Sequence, residues 1–433
     1  MSHMSLLKNV ALMGTSTAMR LGFGLLTFVV MARLLGPDSF GLVMLWMSVA
    51  TLATLLANFG FTPYLLREIG SHPESAQQAM SEVLTAKLLL SALVAFVGFV
   101  SLYWVGADSR LVFMALLVAL LADSMTEFFN VGFRATNRFA DETRLASIAA
   151  TLQFAIVAGT VWGDATAASA ALAFMVSRIA VLGMTWLAQR RYFSGLRGAA
   201  IAAGIKRVRE AAAFGVDFGL QSLFGQIDSV VLNHFAGPAA VGVYQAGMRL
   251  FNGGAQAAGI LANVFLPRAA RVANDAKQLG SESGRIQWAF VLVGLGFGLL
   301  LAGCAEFIVS FLFGGAFSEL HMVLPWLGVL FFIRFFASSW GLVLTSAGAQ
   351  SFRAITNLLQ WIVVLVVAAT AVPNWGIIGW VACLIVGNLL ISAAYCVKGI
   401  QIAGPRWPQF VFSLVSAAMF VPFLHWPALR SSG

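Results

Sequence analysis

Hydrophobic runs long enough to cross a bilayer recur about a dozen times along this chain, and little lies between them. A spanning helix needs roughly 20 predominantly apolar residues. The runs read as 9–35, 40–66, 82–105, 111–133, 145–162 and 166–188, then 211–236, 241–266, 286–313, 320–347, 355–372 and 375–397. A further run, 410–424, carries Pro422 and sits near the lower length limit, so it is either a thirteenth span or a helix lying in the interface. With 60% hydrophobic and 10% charged residues, the chain is excluded from the soluble globular class, and 433 residues leave no room for a separate soluble domain. The expected fold is an all-α integral membrane protein of about 12 transmembrane helices.

The formal net charge of +9 resembles a nucleic-acid signature, but the basic residues sit between apolar spans, where they orient helices and meet anionic headgroups. With the N-terminus in the cytoplasm, eighteen Lys and Arg residues fall in cytoplasmic loops and helix ends, from Lys8 to Arg406, and only Arg33 and Arg110 fall on the other side. That is a strong positive-inside bias. The first apolar stretch runs on as a full-length span, so no cleavable signal peptide is expected. Cys304, Cys383 and Cys396 lie in apolar segments without metal-ligand spacing and are read as packing residues.

Sliding the chain on itself by 201 residues brings a turn into register. Leu35-Gly36-Pro37-Asp38-Ser39-Phe40-Gly41-Leu42 overlays Ala236-Gly237-Pro238-Ala239-Ala240-Val241-Gly242-Val243, each between the first and second spans of its half. Gly tolerates unusual φ, Pro presets φ, and the later Gly lets the next helix pack closely. Six spans separate the copies, so the halves share an orientation and are expected to be related by a pseudo-two-fold along the membrane normal, as in secondary transporters. The expected organisation is a six-helix lobe at 1–189, a basic cytoplasmic linker at 190–210, a second six-helix lobe at 211–400 and a tail at 401–433 with a short thirteenth membrane segment as one option.

Arg33-Leu34-Leu35-Gly36-Pro37-Asp38-Ser39-Phe40-Gly41, then Asn58-Phe59-Gly60-Phe61 and Arg67-Glu68-Ile69, resemble the start of bacterial polysaccharide-unit flippases. Gly237-Pro238 through Gly242-Val243-Tyr244-Gln245-Ala246, with Arg249 and Leu266-Pro267, resemble their mid-chain counterpart. These flippases belong to the multidrug/oligosaccharidyl-lipid/polysaccharide exporter superfamily, and the likeness covers roughly residues 5–400. It implies two six-helix lobes around a V-shaped central cavity and alternating access. The implied work is movement of undecaprenyl-pyrophosphate-linked sugars, such as O-antigen or exopolysaccharide repeats, across the bacterial inner membrane. The implied partners are membrane lipids and a polysaccharide polymerase and chain-length regulator. No cofactor is expected beyond a coupling proton or sodium ion.

A charge at the bilayer centre costs about 2.5–3.5 kcal/mol on insertion scales, so mid-span ionisable residues are functional suspects. The cations are Arg20, Lys87, Arg178, Arg249 and Arg334; the acids are Asp123, Glu127, Asp217, Asp228 and Glu306. Internal pairing would neutralise the whole set. Arg20 and Arg249 stand apart because the resemblance places their helices along the cavity, where Arg bonds phosphate oxygens bidentately. The repeat offset sets Gln221 opposite Arg20 and Ser48 opposite Arg249, which makes these four the substrate-binding candidates. Arg20 lies about eleven residues deep, or ~16 Å at 1.5 Å per residue, too deep to snorkel without strain. Lys87 is only about five residues from its span end, and snorkelling is the better reading there. Asp123, Glu127, Asn130 and Arg134 form one polar stripe that either lines a vestibule opening to the cytoplasm or pairs with Arg178. Asp217 and Asp228, eleven residues apart, are expected to share a face of the seventh span. They either couple a proton or sodium gradient to transport or pair with Arg249 or Arg334, with Asp123 and Glu127 as the second ion-coupling candidates.

Gly294-Leu295-Gly296-Phe297-Gly298 reads as small-residue helix packing rather than a phosphate loop. With no nucleophile elbow, P-loop or paired-cysteine signature, the chain is not read as an enzyme. A multidrug/cation antiporter of the same fold is the nearest alternative, although cationic drugs call for an acidic or aromatic cavity. A lipid II flippase is a third reading, and its usual two extra spans are not evident here. A membrane polymerase or ligase needs a sizeable outer loop, which the chain lacks.

Overall fold

A computed structural model describes residues 3–135, 138–190, 197–404 and 418–424. For residues 3–20 and for Pro73, Phe139, Asp217, Leu220, Gln221 and Phe224 it describes the backbone alone. The described residues are almost wholly helical: α1 (His3–Asn58), α2 (Phe61–Ser71), α3 (Ala76–Ser101), α4 (Ala107–Ala135), α5 (Phe139–Gly163), α6 (Ala167–Gln189), α7 (Ile201–Phe224), α8 (Ile227–Arg271), α9 (Ala276–Gly303), α10 (Ala305–Ile308), α11 (Leu320–Ser346) and α12 (Gln350–Ala403). Among them, eight stretches are long and apolar enough to cross a membrane, and Leu21–Ser71 and Gln350–Ala403 each hold two of the expected spans. α8 runs for 45 residues yet is not among the eight, because Asn233, His234, Gln245, Asn252 and Gln256 dilute its apolar content.

Three long helices are folded back at single glycines. Gly36 (φ 73°, ψ 173°) divides α1, Gly237 (φ 82°, ψ 177°) divides α8 and Gly376 (φ 55°, ψ −129°) divides α12. The first two are the glycines of the 201-residue repeat, and their dihedrals agree within 10°. That backbone region is essentially closed to any residue with a Cβ, and the following proline starts the next leg at the position where its missing N–H costs nothing. Nothing lies within 4 Å of a Cβ built on either glycine, so conformation rather than crowding selects it.

Besides the run 286–313, which breaks at Cys304 between α9 and α10, two expected spans are interrupted. The run 40–66 stops at Asn58, turns through Phe59 (φ 38°) and Gly60 (φ 63°), and restarts as α2, which buries Phe61, Tyr64, Leu65 and Ile69. Gly60 meets two demands at once: a left-handed backbone, and a Cβ position only 2.5 Å from the Phe214 carbonyl carbon and oxygen of α7. The run 211–236 is likewise broken at Gly225–Gln226, where short-range bonds to Ser222 and Leu223 close α7 before α8 begins. The eleven-residue register that placed Asp217 and Asp228 on one face does not run through this break.

By internal contacts the chain divides into Met1–Val231 and Leu232–Gly433. In the first unit α1 packs on α5 and α4, α4 packs on α6, and α7 lies against α3 and α2. α7 is pinned at its start by a charged cluster. Arg207 donates to Glu82 (2.7 Å), Glu68 (2.9 Å), Glu210 (3.1 Å) and the Tyr64 hydroxyl (2.7 Å), while Tyr64 donates to Glu210 at 2.6 Å. Burial disfavours the guanidinium charge, but the hydrogen bonds to Tyr64, Glu82 and Glu68 outweigh it and hold the pKa of Arg207 above its ordinary value. Thr85 accepts from the Ala199 amide at 2.7 Å, fixing the approach to α7.

In the second unit α9 packs along α11, and α11 along α12. The Gly294–Gly298 run does what small-residue packing requires: a Cβ on Gly294 would lie 2.8 Å from Phe335 Cβ, and one on Gly298 2.7 Å from the Gly328 carbonyl oxygen. Phe420, buried to 1% exposure, stacks near Phe332 with ring centroids 5.8 Å apart, so residues 418–424 fold onto α9 and α11. The run 410–424 otherwise lies outside the described residues up to 417.

Candidate functional site

The first unit holds a cavity of about 480 Å³, within the range of small-molecule sites, with many polar side chains among its lining residues. One wall is the end of α1 and the turn after it (Thr51, Thr54, Asn58, Gly60), a second is the start of α2 (Thr62, Pro63), and a third is α4 (Leu120, Asp123, Ser124, Thr126, Glu127, Asn130); Phe218 of α7 closes it. The α4 polar stripe therefore faces the cavity. It is also paired: Asp123 accepts from Arg178 of α6 at 2.7 Å, and Glu127 accepts from Arg134 at 2.7 Å. Arg134 is shared, since its Nε and Nη2 also donate to Glu142 at 2.9 and 2.7 Å. The stripe is thus a cavity lining whose acids are answered within the same unit, Asp123 by Arg178 as one reading expected and Glu127 by Arg134.

Lys87 behaves differently from its expected snorkelling. Its side chain is buried (2% exposed), and Nζ donates to Ser124 Oγ at 2.7 Å, to the Ala57 carbonyl at 3.1 Å and to Asn58 Oδ1 at 3.2 Å. Ser124 Oγ in turn donates to Asn58 Oδ1 at 2.7 Å. The interruption after Asn58 supplies the reason: a helix end in the bilayer exposes carbonyls that need donors, and the ammonium answers them. Sequence reading missed this knot because the acceptors lie on another helix. The Asn58-Phe59-Gly60 triplet was its one visible trace.

The other candidates are scattered. Ser48 is buried (4%) and donates to Ser229 Oγ at 3.0 Å, so it joins α1 to the start of α8 and is not open to a substrate as expected. Asp228, buried in the first turn of α8, accepts from the Ser229 amide at 2.7 Å, where the helix N-terminus favours a carboxylate. Arg249 lies half-buried in the second leg of α8. Arg334, at the middle of α11, is exposed and sits 5.7 Å from the ring centroid of Phe251. Glu306 is exposed in α10. The side chains of Arg20, Asp217 and Gln221 lie outside the described residues.

Chemically, the cavity offers hydroxyl, amide and carboxylate groups to a polyhydroxylated or cationic guest, while the second unit offers arginine. Among the described residues, no three His, Cys, Asp or Glu side chains are grouped to hold a metal ion.

Three solved structures share the fold. A lipid II flippase MurJ in an inward closed conformation superposes with a TM-score of 0.70 at 11% identity, covering 95% of this chain and 98% of that one. An inward-facing multidrug resistance MATE family transporter of the MOP superfamily gives 0.61 at 16% identity, over 92% and 95%. A MOP superfamily transporter from Pyrococcus furiosus gives 0.53 at 15% identity, over 94% and 95%. The chain thus has the twelve-helix, two-lobed transporter fold, in a multi-pass membrane protein. Comparison with curated proteins gives no match. Residues 6–273 match the polysaccharide biosynthesis protein family, well over half the chain, and the protein belongs to that family of membrane transporters and flippases.

Proposed function

We propose that the protein moves an undecaprenyl-pyrophosphate-linked oligosaccharide from the inner to the outer leaflet of the bacterial inner membrane by alternating access, with its N-terminus in the cytoplasm. Membership of the polysaccharide biosynthesis family over residues 6–273 carries this reading. The fold shared with a lipid II flippase supports it. The positive-inside charge bias supports the orientation. In this reading Arg20 and Arg249 meet the pyrophosphate through bidentate hydrogen bonds, with Gln221 as the repeat-register counterpart of Arg20. Coupling to a proton or sodium gradient falls to Asp123 and Glu127 or to Asp217 and Asp228. A polymerase and a chain-length regulator act on the cargo after it crosses.

A second reading, export of cationic compounds, is favoured by the carboxylates lining the first-unit cavity. It is weakened because Arg178 and Arg134 already answer those carboxylates at 2.7 Å. Deleting the gene and restoring it on a plasmid separates the two. Loss of surface polysaccharide with accumulation of lipid-linked repeats on the cytoplasmic leaflet is the expected result. Unchanged polysaccharide with increased sensitivity to cationic drugs supports antiport instead.

A further inference from the structure

The mid-membrane charges differ in how they are satisfied, and one stands out. Lys87 is held by three oxygens and Arg178 by Asp123, while Arg134, in the last turn of α4, is held by Glu127 and Glu142. Arg334 makes no ion pair among the described residues. It stands fourteen residues from the start of α11 and twelve from its end, about 18–21 Å of helix either way, beyond the reach of a snorkelling side chain.

Its surroundings show what it faces. A helix side that meets lipid exposes a stripe of large apolar side chains, as α3 does with Leu88, Leu89, Leu93, Phe96, Val97 and Val100. α11 exposes none of these over residues 323–344, and Arg334 is the only exposed residue in that stretch. Ser338, one turn along, has an exposed hydroxyl that donates to the Arg334 carbonyl at 2.8 Å. The exposed side of α11 is therefore polar and too narrow to be a lipid face. Intramembrane ionisable residues of this kind face the bundle interior or a water-filled cavity. The Phe251 ring, 5.7 Å away on α8, supports the guanidinium from one side without neutralising it.

We infer that Arg334 is a binding residue for a phosphate-type oxyanion carried through the membrane, contacted from the second unit at mid-depth. A guanidinium offers a planar fork of donors to two oxygens of one phosphate, and its charge persists at any physiological pH. The inference rests on the proposed function for the identity of the oxyanion, a lipid-linked pyrophosphate. The geometry alone points only to an oxyanion.

Binding to the purified full-length protein tests it, with three probes: undecaprenyl pyrophosphate, undecaprenol and inorganic pyrophosphate. Wild type is expected to prefer undecaprenyl pyrophosphate over undecaprenol, with affinity falling as salt rises. Arg334→Gln should weaken undecaprenyl pyrophosphate binding about tenfold or more and leave undecaprenol binding unchanged. Arg334→Lys should fall between, keeping the charge and losing the fork. If inorganic pyrophosphate binds with the same dependence on Arg334, the site reads the phosphate alone; if it does not bind, the lipid chain is also required. Equal binding by wild type and both variants overturns the assignment of Arg334 and leaves the flippase reading standing. A wild type with no preference for the pyrophosphate lipid overturns the flippase reading itself. Should Arg334→Gln fail to fold, Arg334→Lys decides: affinity equal to wild type contradicts a bidentate contact.

Discussion

The two units repeat each other in their turns and diverge in their charges. Gly36 and Gly237 adopt nearly the same backbone conformation 201 residues apart, each followed by proline, so the first hairpin of each half obeys the same rule. The polar groups inside the helices do not repeat. The first unit pairs the cavity-lining Asp123 and Glu127 with Arg178 and Arg134, and ties Lys87 to neutral oxygens beside them. The second places Arg334 in the open at the centre of a helix otherwise buried along its middle. On the proposed function the headgroup is asymmetric, so the groups that touch it need not repeat between the two halves of the sequence. The contrast separates charges that hold the protein together from a charge kept available.

That separation is open to direct attack. The largest effect is expected at Lys87. Lys87→Met leaves the Ala57 carbonyl, Asn58 Oδ1 and Ser124 Oγ without their ammonium donor, and should cost about 3 kcal/mol, read as a lowered thermal midpoint in detergent. A loss below about 1 kcal/mol would show that the knot is not structural. The turns come next. Gly36→Ala and Gly237→Ala should each cost about 1–2 kcal/mol, and should match, because the strain depends on dihedrals they share. Gly60→Ala should exceed both, since a Cβ there also collides with the Phe214 backbone at 2.5 Å. Unequal costs at Gly36 and Gly237 would mean that the two halves use the turn differently. Smaller again is the Asp123–Arg178 pair. Both side chains are partly exposed (44% and 28%), so a double-mutant cycle with Asp123→Asn and Arg178→Gln should give a coupling of only about 0.5–1 kcal/mol. The smallest effect on stability belongs to Arg334→Gln, within about 0.5 kcal/mol of wild type, because it makes no ion pair among the described residues and is exposed. A large destabilisation there would place Arg334 with Lys87 as a structural charge.

The sequence carried the spans, the paired Gly-Pro turns and the family resemblance plainly, because each is a local pattern: apolar runs of a set length, and a glycine whose conformation no other residue adopts. It did not show where helices break. The interruptions at Phe59–Gly60 and Gly225–Gln226 fall inside runs that read as continuous, and at Gly60 the demand comes from α7, more than 150 residues away. The same distance hid Lys87. Its acceptors lie on α1 and α4, so depth along its own helix suggested snorkelling. The α4 stripe was legible because helical spacing alone aligns Asp123, Glu127 and Asn130. Whether Asp123 paired depended on Arg178 of α6, which spacing along α4 does not reveal. Arg334 was obscured by a tally of five acids against five bases, which implied neutralisation that the described contacts do not supply for it.

Reconstituted vesicles test the central claim most directly. Purified protein is placed in liposomes with undecaprenyl pyrophosphate bearing a fluorescent sugar, and a membrane-impermeant quencher is added outside. The account predicts that wild-type vesicles lose the inner-leaflet fluorescence that protein-free vesicles retain, and that Arg334→Gln vesicles retain most of it. Wild-type vesicles that protect the inner-leaflet cargo as fully as protein-free ones would contradict it.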